Sequence, residues 1–229
     1  PGEAPYEVRW GGTCLDLTHP ESREYVRFIA NRLSNEWGYN YFKVDGLFTG
    51  TGARIQYINS EYKDDDLGLQ TRHNPSITPI EAYARGLELI KEGAGDDLFL
   101  LGCCLPQNMR SFGPAMGRVD AMRVGPDNGA SPRLLIRGPQ FSSRVYFLNK
   151  RVWYNDPDPA YVRTSMPEEM AKTSVSWVSL TGSMHSSSEQ YDELPADRLR
   201  ILQKSLPSHD LKTVRPVDFL ENDPPEVWH

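Results

Sequence analysis

Helical and strand patterns alternate along this chain, and the alternation predicts an α/β fold built on a parallel sheet with right-handed crossovers. Three observations carry that prediction. Helix-start signals recur at Thr18-His19-Pro20-Glu21, Thr78-Pro79-Ile80-Glu81 and Ser165-Met166-Pro167-Glu168. Each pairs a hydroxyl with a Glu three positions on, the pattern of a capping box, and each holds a Pro suited to a first turn. Short apolar runs stand between the helices, and several end in a charge or a thiol near Gly or Pro. Such a run reads as a buried strand delivering a functional side chain to its C-terminal end. About five strands can be counted, whereas a closed (β/α)8 barrel has eight and usually needs ~250 residues. The expected fold is therefore a partial TIM barrel, strands 4–8, with the first strands missing. An open doubly wound sheet is the alternative, and the lack of a GxGxxG after any strand weakens its dinucleotide-binding form.

Each element has its own justification. The first helix carries Tyr25, Val26, Ile29, Leu33 and Trp37 at helical spacing and stops at Gly38. The strand Tyr41 to Asp45 follows at once. The second helix places Tyr83, Leu87 and Ile90 on one face and is expected to end at Gly93. Leu98 to Cys103, Val119 to Val124 and Arg151 to Tyr154 read as the next strands. A third helix runs through Met170, Ser174, Trp177 and Val178 to Gly182, and Ser183-Met184-His185 reads as a short final strand. Leu194 to Leu206 reads as the last helix. Between Thr49 and Ile77 no period is visible, and Glu61, Lys63, Asp64, Asp65 and Asp66 crowd together. A loop of that length reads as a lid or partner surface, or equally as a solvated insertion.

Composition narrows the function classes. With 229 residues, 38% of them hydrophobic, the chain can bury one sizeable core, and the whole of it reads as one catalytic barrel domain. A net charge of −6 and the absence of a Lys/Arg cluster argue against nucleic acid as a partner. No apolar run approaches the ~18–20 residues that cross a bilayer. The chain begins at Pro1 without a Met or a leader pattern and so reads as an excerpt. Its three cysteines, Cys14, Cys103 and Cys104, form neither a disulfide framework nor a CxxC metal pair, with a lean toward a reducing compartment. No metal set stands out among the five histidines, and self-association is left open.

Two carboxylates stand at strand ends: Asp45 in Lys43-Val44-Asp45-Gly46, and Asp127 in Arg123-Val124-Gly125-Pro126-Asp127. Two carboxylates on one barrel mouth are the minimum equipment for cutting a glycosidic bond. Strand alternation puts Lys43 and Asp45 on one face, where the ammonium would favour the ionised carboxylate that a nucleophile requires. A strand-end ion pair without chemistry is the equal alternative. Arg123 never loses its charge and needs an acceptor, either Asp127 or a substrate hydroxyl. Asp120, near a strand's start, ranks well below Asp127. The tetrad Asn155-Asp156-Pro157-Asp158 suits a hydroxyl-binding cluster, though an ordinary turn is slightly favoured. Cys103 reads first as a buried thiol. Trp10, Trp153 and Tyr154 suit a sugar's apolar face, with core packing the more usual job for each.

Together these segments resemble the α-galactosidases of glycoside hydrolase clan D, closest to family 36, the melibiases, with family 27 as a sister. Leu15 to Pro20 is similar to the lead-in, and Phe42-Lys43-Val44-Asp45 to the Lys-x-Asp nucleophile motif. The stretch from Leu100 to Cys104, with Gly117 to Asp127, resembles the acid/base region. Trp153-Tyr154-Asn155-Asp156-Pro157-Asp158 resembles the Trp-Asn-Asp-Pro-Asp motif. The resemblance runs from about Trp10 to about Pro216 and implies a (β/α)8 barrel, usually flanked by β-sandwich domains that this chain does not carry. It implies Asp45 as nucleophile and Asp127 as acid/base in retaining hydrolysis of terminal α-D-galactosides. Lys43 and Arg123 would hold sugar hydroxyls, with Cys103, Asp158 and Trp153 lining the subsite. It calls for no cofactor and makes a carbohydrate the partner. The departures are the inserted Tyr154, Gly46 where a large residue is usual, Ser186-Ser187-Ser188-Glu189 where Ser-Asp is common, and the missing early strands that hold an acidic pair on the sugar. These leave open another clan D activity, on α-N-acetylgalactosaminides or β-L-arabinopyranosides, and a sugar-binding protein on a glycosidase scaffold.

Overall fold

The computed structural model describes residues 7–8, 12–46, 72–103, 112–207, 211 and 214–229. Trp10, Cys104 and positions 49–71 of the long loop fall outside them. The chain forms two compact units, Pro1–Met122 and Arg123–His229.

In the first unit β1 (Glu7–Val8) and β2 (Gly12–Thr13) make a short antiparallel pair. Helix α1 (Pro20–Asn31) continues through a wider turn at Arg32–Glu36 to Gly38, whose φ of 81° ends it. Its cap differs from the expected box. The Thr18 hydroxyl donates to Asp16 Oδ1 at 2.7 Å and accepts from the Asn74 amide at 3.0 Å. His19 is left as the cap, its Nδ1 accepting from the Glu21 N–H. The apolar stripe of α1 is only half-covered: Val26, Ile29 and Leu33 are partly buried, while Tyr25 and Trp37 are exposed.

Helix α2 (Pro79–Ala94) opens on the expected box, with Thr78 Oγ1 accepting from Glu81 N–H and Glu81 accepting from Thr78 N–H. Gly93 does not end this helix; Gly95 does, at φ 92°. Gly93 instead lets α1 approach, because a Cβ there would lie 2.4 Å from the Arg27 carbonyl oxygen and 3.0 Å from Ala30 Cβ. Beneath the helices, β3 (Tyr41–Val44), β4 (Phe99–Gly102) and β5 (Ala121–Arg123) run parallel, with Lys43 beside Leu101 and Leu101 beside Ala121. β4 and β5 are buried as expected. β3 is not: its residues alternate between exposed and half-buried. The reason is its position, since β3 pairs with β4 and with no other strand among the described residues. At the start of β5, Asp120 accepts from Leu100 N–H and from Lys91 Nζ, a structural role. A short turn of helix, α3 (Phe112–Ala115), precedes it.

The second unit starts at Arg123, the last residue of β5. Short helices α4 (Pro132–Leu135) and α5 (Arg137–Arg144) and a tight turn at Tyr146–Leu148 lead to β6 (Tyr154–Asp156). That strand starts three residues later than the aromatic run Arg151–Tyr154 suggests and ends two later. Polar Asn155 can be buried in it because each of its groups is matched: Trp153 Nε1 donates to Oδ1, Nδ2 donates to Val145 O, and its N–H donates to Asn149 Oδ1. The expected final strand is an irregular segment lying along β6, with Met184 N–H on Asn155 O and Ala160 N–H on Ser186 O. Helices α6 (Glu168–Thr181) and α7 (Ala196–Lys204) pack over a core of Leu135, Ala160, Val162, Met166, Ala171, Val175 and Leu202. The third box does not form. Glu168 pairs with Lys172 instead, and the turn before α6 is pinned by buried Met166, whose carbonyl takes Arg198. No described helix is long and apolar enough to cross a membrane.

The close approach at Gly93 sets an expectation. Gly93→Ala should lower stability by about 1–3 kcal/mol in urea titrations through overpacking against the α1 backbone. Gly113→Ala, which meets nothing within 4 Å, should stay within about 0.5 kcal/mol. Equal midpoints for the two variants would contradict the contact.

Candidate active site

In the first unit the end of β3 carries Lys43 and Asp45 on one exposed face, as alternation requires. No ion pair joins them among the described residues. Same-face neighbours in a strand stand about 6.7 Å apart along the chain, beyond pairing distance unless both side chains lean together. Asp45 Oδ1 instead accepts the Gly46 N–H at 2.8 Å, and Gly46 turns the chain at φ 66°. Cys103 lies alongside: its N–H donates to Val44 O at 2.9 Å, and the residue is 5% exposed. The first unit thus brings Lys43, Asp45 and Cys103 to the C-terminal ends of two adjacent strands.

The second unit holds the other set. Arg123 is buried at 2% exposure, and its guanidinium forks between two carboxylates. Nη2 meets Asp127 Oδ1 at 2.9 Å, and Nη1 meets Asp158 Oδ1 at 2.8 Å. The two partners differ in setting. The Asp127 side chain is 69% exposed and that of Asp158 13%. Asp158 is also fixed by its backbone, at φ 79°, by the Asn128 N–H on its Oδ2 at 2.8 Å, and by its own N–H on Asp156 Oδ1 at 2.9 Å. Val124 N–H donates to Asp156 O, which sets the end of β6 beside the segment that follows Arg123. Burial pushes the Asp158 carboxyl up to about 6; the Arg123 cation and the Asn128 N–H oppose the rise, and the Asp156 and Asp127 carboxylates add to it.

Trp153 does not join this group. It is 3% exposed, its indole N–H is engaged by Asn155, and it stands just before β6. Tyr154 is exposed on the same strand. Asn155-Asp156-Pro157-Asp158 is not a surface turn, since its first two residues lie inside β6 and its last presents the carboxylate. Asn128 is a contributor that sequence reasoning missed, because it acts through a backbone N–H that no side-chain pattern announces. No group of three or more metal-ligating side chains occurs among the described residues.

No family model matches the chain. Solved structures do. An α-galactosidase from Thermus thermophilus, in complex with stachyose, is 21% identical with a TM-score of 0.60, over 89% of this chain and 43% of that one. A GH27 β-L-arabinopyranosidase from Geobacillus stearothermophilus is 13% identical with a TM-score of 0.63, over 83% of this chain and 42% of that one. The fold is part of a (β/α)8 barrel. At these identities the likeness extends to the fold alone, and the chain spans less than half the length of either relative. In such a barrel chemistry sits at the C-terminal ends of the strands. Asp45, Cys103, Arg123, Asp127 and Asp158 all stand at such ends or in the loops just beyond, whereas Asp120 and Trp153 stand at strand starts.

The raised Asp158 carboxyl has a consequence for stability. Its folded value of about 6 exceeds the ordinary 3.8 of an unfolded aspartate. Between the two the folded protein binds more protons, so this contribution is full below pH ~4 and is lost as pH rises to ~6, by up to about 3 kcal/mol. Asp158→Asn should therefore lack that decline when denaturation midpoints are followed across the interval. A variant whose pH slope matches the parent's would refute the assignment.

Proposed function

We propose that the chain is the catalytic barrel portion of a retaining glycoside hydrolase acting on terminal α-D-galactosides, of the clan D type closest to family 36. One observation carries the reading most. A buried arginine at a strand end binds two carboxylates there, one sheltered and one open to solvent. This is an arrangement that can grip a hydroxyl and transfer a proton. The likeness in fold to an α-galactosidase solved with stachyose supports it.

In this reading Asp45 attacks the anomeric carbon while protonated Asp127 gives its proton to the leaving oxygen. A covalent glycosyl-enzyme forms, Asp127 then takes a proton from water, and that water releases the sugar. Retention requires the two carboxyls to face one pocket about 5–5.5 Å apart. Lys43 and Arg123 hold sugar hydroxyls, with Cys103 and Asp158 lining the subsite. Arg123 is engaged by Asp127. For Asp127 to act as the acid, an arriving sugar hydroxyl takes its place on the guanidinium. Asp158 holds the other arm of Arg123 and keeps the cation in place as that exchange occurs.

A second reading has an observation of its own, the matching β-L-arabinopyranosidase fold. A β-L-arabinopyranoside has the ring configuration of an α-D-galactoside without the exocyclic carbon, so the same carboxylates would serve both substrates. The test is a panel of aryl α-D-galactoside, α-N-acetylgalactosaminide and β-L-arabinopyranoside, with the parent and its Asp45→Asn variant. Turnover of the α-galactoside, lost in the variant by about 10³-fold or more, is expected for a missing nucleophile. Preference for the arabinopyranoside would move the specificity. No turnover of any glycoside by the folded parent would leave a sugar-binding protein.

A further inference from the structure

The second unit contains a further cavity of about 810 Å³, and none of Arg123, Asp127 and Asp158 lines it. Lys150 and Arg151 on its wall precede β6, whereas Asp158 follows that strand. Barrel chemistry sits beyond the C-terminal ends of the strands. An occupant at the start of β6 is therefore a second ligand rather than the glycoside. The volume suits a small molecule.

The wall sets the charge of that ligand. Lys150, Arg151 and Arg215 line it, and no Asp or Glu does among the described residues. Such a grouping runs against a chain whose net charge is −6. Lys150 has a left-handed backbone at φ 60°, a conformation that a lysine rarely takes. Its Nζ lies over Gly182, 3.0 Å from where a Cβ there would stand. The last turn of α6 reaches the same cavity through Thr181, and a helix C-terminus disfavours anions. That pole is blunted here, because Asn149 Nδ2 donates to the Thr181 and Gly182 carbonyls at 3.3 and 3.1 Å. The Ser142 hydroxyl, on a residue 2% exposed, also lines the cavity and has no hydrogen-bond partner. A buried hydroxyl in that state costs free energy that an anion's oxygen would recover.

The wall also sets the ligand's body. Tyr146, Trp177 and Trp228 line the cavity, and their rings meet at nearly right angles. Tyr146 stands at 83° to Trp228 and Trp177 at 86° to it, with centres 5.9 and 6.3 Å apart. Such a corner takes a flat ring face-on against one wall and edge-on against another. The rings alone would equally suit an organic cation, which the positive wall excludes. One cation balances a carboxylate, whereas the set of Lys150, Arg151 and Arg215 suits a phosphate dianion, which arginine binds through paired N–H donors.

We propose that this cavity binds a phosphate ester carrying a flat aromatic ring, an aryl phosphate or a mononucleotide. The inference stands apart from the galactosidase reading and does not need it.

Calorimetric titration of the whole chain with phenyl phosphate, adenosine monophosphate and inorganic phosphate tests it. Arg151→Ala/Arg215→Ala removes two exposed cations of the wall, and Arg133→Ala/Arg200→Ala removes two exposed cations that do not line it. At least one of the ring-bearing phosphates is expected to bind the parent about tenfold or more tighter than inorganic phosphate does. That binding should weaken by about tenfold or more in the wall variant, in line with two lost charge-assisted hydrogen bonds, and stay within about twofold in the other. The tighter of the two ring-bearing ligands names the source, nucleotide or simple aryl ester. No binding of either, inorganic phosphate binding as tightly, or equal losses in the two variants would overturn the site. Should the wall variant fail to fold by circular dichroism, Arg151→Ala alone carries the same comparison.

Discussion

A cation that cannot be discharged lies almost fully buried at Arg123, and the segments around it in the second unit are built to satisfy it. An arginine left unmatched in such a place would cost several kcal/mol. The match comes from two carboxylates on different segments, Asp127 after a Gly-Pro turn and Asp158 after β6. Each is held in turn. Arg137 binds the Asp127 carbonyl, Asn128 N–H binds Asp158, and the Asn128 amide binds the Pro159 carbonyl. Gly138 allows this closeness, since a Cβ there would lie 2.9 Å from the Pro157 carbonyl oxygen. Side chains that could grip a hydroxyl are thus placed by the need to neutralise one charge.

Much of this was legible in the sequence, and the parts that were not share a cause. Helix α2 was read well because Thr78 and Glu81 act within one turn of each other. The Lys43–Asp45 alternation and the burial of β4 and β5 were also local properties. The Thr18 box failed because its hydroxyl is taken by Asp16 and by Asn74, fifty-six residues on. The register of β6 was missed because buried Asn155 is matched by Val145 and Asn149, which no period-two pattern can show. Gly93 looked like a stop and is a packing contact, a difference decided by a neighbouring helix. The fork from Arg123 to both acids was half-legible: the Arg-x-x-x-Asp spacing offered Asp127 as a partner, while Asp158 is thirty-five positions away and is joined only by the fold.

The strands of the first unit show the same division between local and distant causes. β3 has the composition of a buried strand, yet Tyr41, Lys43 and Asp45 are exposed. Burial depends on what lies on either side as well as on the residues themselves. The Tyr41 ring stacks on that of Phe99 from β4, 5.6 Å between centres.

Asp158 has a left-handed backbone conformation that side chains other than Asn and Asp rarely adopt, at a cost of about 1–2 kcal/mol. Its carboxylate is held by the Asn128 N–H and by Arg123, both parts of the fold. The entropy of orienting that group is spent when the chain folds and, in the proposed sugar site, need not be spent again at each encounter. Oxygens frozen in advance discriminate by fit, so a hydroxyl offered at the wrong angle would meet an arrangement that does not bend to receive it.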